Sequence, residues 1–282
     1  MLIDCFPFFN ERLQLLIRLN ELKDVCDFHI CVESSKTQSL LDKPYYLDEW
    51  IKEEEFKPFV NKIIRVKVEP PNFVDNKADI WQMEHYQRNC ISLGLEQIKD
   101  KLTIDSLICI SDVDEIPRSL TIVKLKKVQE NGMWPGPTAI EMEFCAYFVN
   151  LIATNRKWIG TVVTTYGDFK NNNSNAQFYR TNKDFFGYAC GSWGWHLSWL
   201  GGSESIYNKT LSCIEPFDKS KLPTKEEFRA HFEDFLGRED KYFIHLEQLD
   251  KKETEFTKAK DLSFLPQYLL DNLEKYDNFT LK

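Results

Sequence analysis

Two periods alternate along the first 117 residues. Short apolar runs at Leu2–Cys5, Phe28–Glu33, Lys62–Val68 and Leu107–Ser111 have the length of strands, and the stretches between them are patterned as helices. The first such stretch is capped by Asn10 and runs to about Lys23, with Leu13, Leu16, Ile17 and Leu19–Leu22 facing the core. The second, Tyr46–Glu55, is acidic, and the third is a long helix from Asp79 to about Lys99. Strand, helix, strand in repetition predicts an α/β fold: a mostly parallel central sheet with helices on its faces. The run at Leu107 is apolar throughout, as in a strand buried on both faces, whereas Lys62–Val68 alternates and predicts one face less buried.

Beyond Pro117 the pattern is mixed. A helix is predicted over Ser119–Glu130, strands over Ala139–Asn150 and Trp158–Thr165, and a flexible surface loop over Asn171–Asn175. Gly187–Gly202 packs three tryptophans, one histidine and five glycines into sixteen residues. The remainder is charged, with helices predicted over Lys225–Leu236, Tyr242–Leu249 and Pro266–Tyr276. No repeat or linker interrupts the chain, which therefore reads as a single domain over 1–282.

The chemistry concentrates where the fourth strand ends. Ser111-Asp112-Val113-Asp114-Glu115-Ile116-Pro117 puts acids at the carboxyl end of a strand, where open α/β sheets bind ligands. Two hard oxygen donors on one turn suit Mg²⁺ or Mn²⁺, and that cation suits a diphosphate; the plain alternative is a polar turn after a core strand. Glu115 is predicted to point away from Asp114 and to support the loop, as a cap for the helix near Ser119. Glu33 ends the second strand, a place where an acid accepts from a ribose hydroxyl. The first strand leads into Phe6-Pro7-Phe8-Phe9 rather than a glycine-rich turn, which argues against a nicotinamide or flavin cofactor. Arg88 lies four residues after Glu84, so it is either half of a surface ion pair or a cation reaching the diphosphate. His196 is a core histidine or a third metal ligand beside Asp112 and Asp114. Trp193, Trp195 and Trp199 are core, or faces on which a sugar ring stacks, with Gly191 and Gly194 letting backbone approach the ligand.

Composition narrows the classes. The net charge of −8 and pI near 5.3 disfavour nucleic-acid binding. Eight scattered cysteines include no C-x-x-C pair, which points to a reduced chain without a zinc site. Three Asn-x-Ser/Thr triplets, at Asn172, Asn208 and Asn278, matter only in a secretory lumen. The N-terminus reads as a strand rather than a signal peptide, and no run approaches the roughly 18 apolar residues of a membrane span. The expectation is a soluble, cytoplasmic protein.

Several blocks, in order, resemble the family 17 glycosyltransferases. They are Asp4-Cys5-Phe6-Pro7-Phe8-Phe9-Asn10-Glu11, Leu19-Asn20-Glu21-Leu22, Val32-Glu33-Ser34, Tyr86-Gln87-Arg88-Asn89, the Ser111–Pro117 segment, Gly194-Trp195-His196-Leu197-Ser198-Trp199 and Pro266-Gln267-Tyr268-Leu269-Leu270. The resemblance implies a GT-A-type, Rossmann-like fold with a smaller mixed C-terminal part. Residues 1–117 would form the nucleotide-binding half, and 118–282 the acceptor-binding half with the C-terminal helices. It also implies a UDP-sugar donor, UDP-N-acetylglucosamine above all, a glycan or glycoprotein acceptor, inversion at the anomeric carbon, and Mn²⁺ or Mg²⁺. On this reading Asp114 resembles the metal-binding acid and Asp112 the acid nearer the ribose or sugar. Phe6, Pro7, Asn10, Glu33 and Arg88 then belong to the donor site, and Trp193, Trp195 and Trp199 to the acceptor or sugar. Glu204, just after the tryptophan-rich loop, is the expected general base, with Glu141 and Glu143 as further candidates. The animal members carry a membrane anchor and stem, and the residues read here predict neither. Their Trp-His-Cys-Ser-Trp-Cys segment reads Trp-His-Leu-Ser-Trp-Leu. A phosphatase of the haloacid-dehalogenase type, and a sugar-binding module without catalysis, are the competing classes.

Overall fold

In the computed structural model the described residues are 1–71, 81–189, 191, 193–212, 223–236, 242–244 and 254–282. In chain order the regular elements begin with β1 (Leu2–Phe8), α1 (Arg12–Leu22), β2 (Phe28–Ser34), α2 (Leu47–Trp50), β3 (Ile63–Val68), α3 (Gln82–Asn89), α4 (Ile91–Gln97), β4 (Leu107–Ile110) and β5 (Glu115–Pro117). They continue with α5 (Ser119–Glu130), β6 (Thr138–Ala146), β7 (Leu151–Ala153), β8 (Trp158–Thr165), α6 (Tyr166–Asn171) and α7 (Ala176–Thr181). Last come β9 (Gly187–Ala189), β10 (Gly194–Ser198), α8 (Gly202–Ser212), α9 (Lys225–Leu236), β11 (Tyr242–Ile244), β12 (Thr254–Lys258) and α10 (Gln267–Leu270).

The chain divides into two compact units, residues 1–142 with 159–195 and residues 143–158 with 196–282, so the division falls inside β6, β8 and β10 rather than near residue 117. In the first unit the strand order is β4-β1-β2-β3, all parallel, with β8 antiparallel beside β4. This is the mostly parallel, helix-flanked sheet that the strand–helix alternation predicts. Ile3, Cys5, Ile30, Val32, Ile108 and Ile110 make its centre, each buried. Gly94 seats α4 on β2 so closely that a Cβ there would lie 2.3 Å from Ile30 Cγ2. The chain walks β1, β2, β3 to one side and then places β4 on the other side of β1. The gap beyond the carboxyl ends of β1 and β4 is therefore the topological switch point, and Asp112 is the second residue after β4.

The second unit is a small mixed body. The end of β6, β7, β12 and β11 run antiparallel. Phe144, Phe148, Ile206, Phe232, Phe256 and Leu281 form its core. Asn150 ties down the C-terminus, donating from Nδ2 to Leu281 O at 2.9 Å and accepting from Leu281 N at 2.8 Å.

Several elements differ from their sequence pattern. The helix expected from Asp79 to Lys99 is two helices meeting at Cys90; Asp79 itself lies outside the described residues. Tyr46–Glu55 supplies only the single turn of α2, and Pro266–Tyr276 only α10, both followed by turns. The Asn171–Asn175 stretch is a tight corner between α6 and α7, with Asn173 and Ser174 at positive φ of 58° and 54° and Asn175 Oδ1 capping α7 at Phe178 N, 3.0 Å. Tyr242–Ile244 is a strand, where a helix was expected; 245–249 lie outside the described residues. Asn10 does not cap α1: Glu11 takes that position, its Oε2 accepting from Phe9 N at 2.9 Å and Asn10 N at 3.1 Å. Cys5, Cys26, Cys31, Cys90, Cys109 and Cys145 are free and buried, while Cys190 and Cys213 lie outside the described residues. Among the described residues, no helix is long and apolar enough to cross a membrane.

Candidate functional site

The acidic turn after β4 is held from below by one cation. Arg18, on α1 and fully buried, reaches under the turn and donates to Asp112 O at 3.0 Å and Glu115 O at 2.9 Å from Nη1, and to Ser111 Oγ at 2.6 Å from Nη2. Its charge is met by Asp4 on β1, at 2.8 Å from Nε to Oδ2 and 2.5 Å from Nη2 to Oδ1. His29 Nδ1 lies 3.0 Å from the same Oδ2. Burial opposes ionisation of Asp4, but Arg18 and His29 outweigh it and bring the carboxyl from 3.8 to about 2. Nothing in the helical period marks Arg18; it falls among apolar residues at a core position, and that is the one signal it offers.

Above the turn a set of opposite charges interlocks. Asp112 Oδ1 accepts from Arg88 Nη2 at 2.8 Å, and Oδ2 lies 3.1 Å from Arg180 Nη2. Arg180 Nη1 donates to Glu115 Oε1 at 2.6 Å, and Lys183 Nζ lies 3.9 Å from that oxygen. Burial would raise the Asp112 carboxyl; Arg88 and Arg180 instead hold it well below the usual carboxylate range. Burial, then the Arg180 charge, push Lys183 down to about 8. Arg88 is not half of a surface pair: its side chain is 1 % exposed and also bonds Glu84 Oε1 at 2.6 Å and Gln177 Oε1. Asn89 Oδ1 accepts from Gln177 N at 2.9 Å, which fixes α7 against α3 and brings Arg180 to the acids. Arg180 and Lys183 follow the Asn171–Asn175 loop in a stretch to which the sequence pattern assigns no element.

Glu115 is buried and central to this set, which corrects the expectation that it turns away to cap α5. Its Oε2 accepts from Asp112 N at 3.2 Å and closes the turn. The α5 N-terminus is served by Glu21, whose Oε1 accepts from Ser119 N at 2.7 Å.

Other expected site residues are placed elsewhere. Glu33 is buried with its carboxylate turned to the chain: Oε1 accepts from Lys43 Nζ at 2.9 Å and Tyr46 N at 2.6 Å, and Oε2 from Leu47 N at 3.3 Å. It caps α2, and burial pushes its pKa up against the pull of Lys43. Phe6 is core, with the Arg18 guanidinium 4.5 Å over its ring; Pro7 lies within β1, and Asn10 is exposed beyond it. Trp195 is 1 % exposed with Arg118 at 4.1 Å over its ring, so it offers no face to a sugar. Trp193 is half-buried under Lys124 at 4.3 Å, and Trp199 half-buried beside Lys209 at 5.5 Å. Gly194 makes room for the protein itself, since a Cβ there would lie 2.6 Å from Ile116 O. His196 is stacked on Trp158 at 4.2 Å and Phe144 at 5.0 Å, and reads as a core histidine of the second unit.

Glu204 stands exposed on α8, paired with Lys225 at 2.6 Å, whose hydrogen bond lowers its pKa. Paired this way, Glu204 has less pull on a proton than an unpaired carboxylate, which counts against it as the expected base. Glu141 Oε2 accepts from Gly191 N at 2.6 Å, and Glu143 is paired with Lys157. Among the described residues, no three His, Cys, Asp or Glu side chains gather to hold a metal ion. Asp112 and Asp114 remain at the switch point, Asp112 with 26 % of its side chain exposed and Asp114 mostly buried.

Two curated relatives are the β-1,4-mannosyl-glycoprotein 4-β-N-acetylglucosaminyltransferases of Rattus norvegicus and Homo sapiens. They are 25% and 26% identical over 228 residues, which is 72% of this chain and 41% and 42% of theirs. The chain thus spans about four-tenths of the length of the curated relatives it matches. Residues 1–205, which contain the whole charged site from Asp4 to Lys183, match glycosyltransferase family 17, and the chain belongs to that family.

Proposed function

We propose that this protein transfers a sugar, N-acetylglucosamine in the first place, from a UDP-sugar to a glycan hydroxyl, with inversion at the anomeric carbon and on a GT-A-type frame. The observation that carries the reading is the acidic turn at the switch point of a family 17 chain, where Asp112 is paired with Arg88 and Arg180, Glu115 with Arg180 and Lys183, and Asp114 lies between them in sequence. Acids that share a cation and bases that face a phosphate are what a nucleoside diphosphate needs. The relatives act on mannosyl-glycoproteins by name, which makes a glycoprotein glycan the first acceptor to try.

The donor chemistry of the turn fits Mn²⁺ or Mg²⁺ of the kind held by one or two carboxylates plus substrate phosphates. Asp112 and Asp114 would hold it, and the donor would complete its shell. Such a cation offsets charge on the departing UDP. Arg88, buried and fixed from three sides, adds positive charge that needs no reorganisation when the glycosidic bond breaks.

The test is UDP release from UDP-sugars with and without Mn²⁺, with Asp114→Ala as control. Turnover that needs Mn²⁺ and falls at least about hundredfold in the variant is expected, the scale of a lost charge-stabilising contact. Unchanged metal-dependent turnover in Asp114→Ala overturns the assignment of that acid. Thermal-shift responses to UDP, GDP and CMP, each with Mn²⁺, report the base; a glycan that stabilises the protein with neither metal nor nucleotide favours the binding-module reading instead.

A further inference from the structure

Arg180 touches the carboxylates on both sides of the acidic turn, where Arg18 meets its carbonyls. It sits in the last turn of α7, with Nη1 on Glu115 at 2.6 Å and Nη2 on Asp112 at 3.1 Å. Its neighbour Arg88 is locked in place by Glu84, Asp112 and Gln177 at 1 % exposure, whereas 23 % of the Arg180 side chain is exposed. Its two partners also differ: Glu115 is 1 % exposed and Asp112 26 %. One arm of the guanidinium is therefore anchored in the interior, and the other rests on a carboxylate at the rim.

Each of Glu84, Asp112 and Glu115 is paired with a cation from the set Arg88, Arg180 and Lys183. A divalent cation arriving alone meets two guanidinium groups already on the oxygens of Asp112. A diphosphate arriving alone meets the acids. Arriving together they exchange partners without leaving a charge unmatched, the condition under which charges tolerate burial. In the exchange Nη2 of Arg180 leaves Asp112 while Nη1 stays on Glu115.

Resting on the donor reading above, we propose that Arg180 is a donor-phosphate ligand held in reserve. Before the donor binds, it occupies Asp112. When the nucleoside diphosphate and cation enter, it pivots on Glu115, frees the Asp112 oxygen for the cation and donates to the phosphate, for which a guanidinium fork is well shaped. Arg88 does not move.

The experiment is Arg180→Gln in the full chain, with two measurements. Mn²⁺ alone, followed by the electron-spin signal of the free ion, binds about tenfold more tightly than in the wild type, because one charge-assisted competitor is gone. UDP with saturating Mn²⁺, followed by calorimetry, binds about tenfold more weakly for the same reason. A purely structural role weakens both, so parallel losses overturn the proposal, as does unchanged UDP affinity. The double variant Glu115→Gln/Arg180→Gln removes the buried acid with its partner and guards against misfolding from an orphaned charge; the same opposed shifts are expected. Arg180→Lys keeps the charge without the fork and recovers part of the UDP affinity, and full loss in it counts against the proposal. A wild type that fails to bind UDP with Mn²⁺ overturns the donor reading and this inference with it. A wild type that binds, with no opposed shifts in the variants, overturns this inference alone.

Discussion

Removing Arg18 tests how the acidic turn is built. In Arg18→Met the aliphatic stem survives, but the Asp4 carboxylate keeps only His29 as a partner in a fully buried position. Taking one member from a buried ion pair costs about 3–5 kcal/mol, because the other is left charged without compensation. Ser111 Oγ and the carbonyls of Asp112 and Glu115 lose their donor as well. Against a total stability of roughly 5–15 kcal/mol this is a large fraction. Asp4→Leu alone strands the guanidinium and is similarly costly. The pair Asp4→Leu/Arg18→Met strands neither, so a double-mutant cycle by urea unfolding is expected to show a favourable coupling of about 2–3 kcal/mol. The sign with pH follows from the depressed Asp4 carboxyl. Its contribution is fully present above the unfolded value near 3.8 and is lost as pH falls through the folded value of about 2. That protonation is worth on the order of 2 kcal/mol, less than deletion of Arg18, since a protonated Asp4 still accepts the same hydrogen bonds. A loss below about 1 kcal/mol in Arg18→Met, or no coupling in the cycle, refutes the role of a buried charge pair under the turn.

Three further outcomes follow from the geometry. Gly194→Ala places a methyl group 2.6 Å from Ile116 O and is expected to lower the melting temperature by the equivalent of about 1–3 kcal/mol, with Gly187→Ala, which meets nothing within 4 Å, as the neutral comparison in the same melt. Glu204→Gln, on an exposed side chain, is expected to leave UDP release within about twofold of the wild type, surface changes of this kind being within roughly 0.5 kcal/mol; a larger fall restores Glu204 to the mechanism. Glu33→Gln leaves Lys43 without its counter-charge and weakens the α2 cap, at a cost of about 1–2 kcal/mol in chemical unfolding. If Glu33 also bound the ribose, the variant would lose UDP affinity beyond what its lowered stability explains.

Local periodicity was sufficient for much of the first unit and for α9 of the second. The strands at Leu2, Phe28, Ile63 and Leu107 and the helices over Ser119–Glu130 and Lys225–Leu236 lie where the pattern puts them, because burial on one or two faces imposes a period that neighbouring residues alone reveal. The acids after β4 were legible for the same reason: a strand's end follows from its apolar run. The partners of those acids were not. Arg18 looks like an intruder on an apolar helix face, and Arg180 and Lys183 lie beyond the Asn171–Asn175 loop where the pattern assigns no element. Glu33 sits at a ribose-binding position by strand order, yet its oxygens are taken by Lys43 and the α2 backbone. Trp195 and His196 carry the residue types of a sugar site and are packed as core.

The sequence by itself thus determined where strands end and which of those ends carry negative charge, since both depend on residues a few positions apart. The tertiary structure alone decided which charges are paired. Asp4 with Arg18, Asp112 with Arg88 and Arg180, and Glu115 with Arg180 join residues 14, 24, 68 and 65 positions apart. An ionised side chain in the interior is tolerated only with its counter-charge in contact, and no local period encodes a contact over such separations.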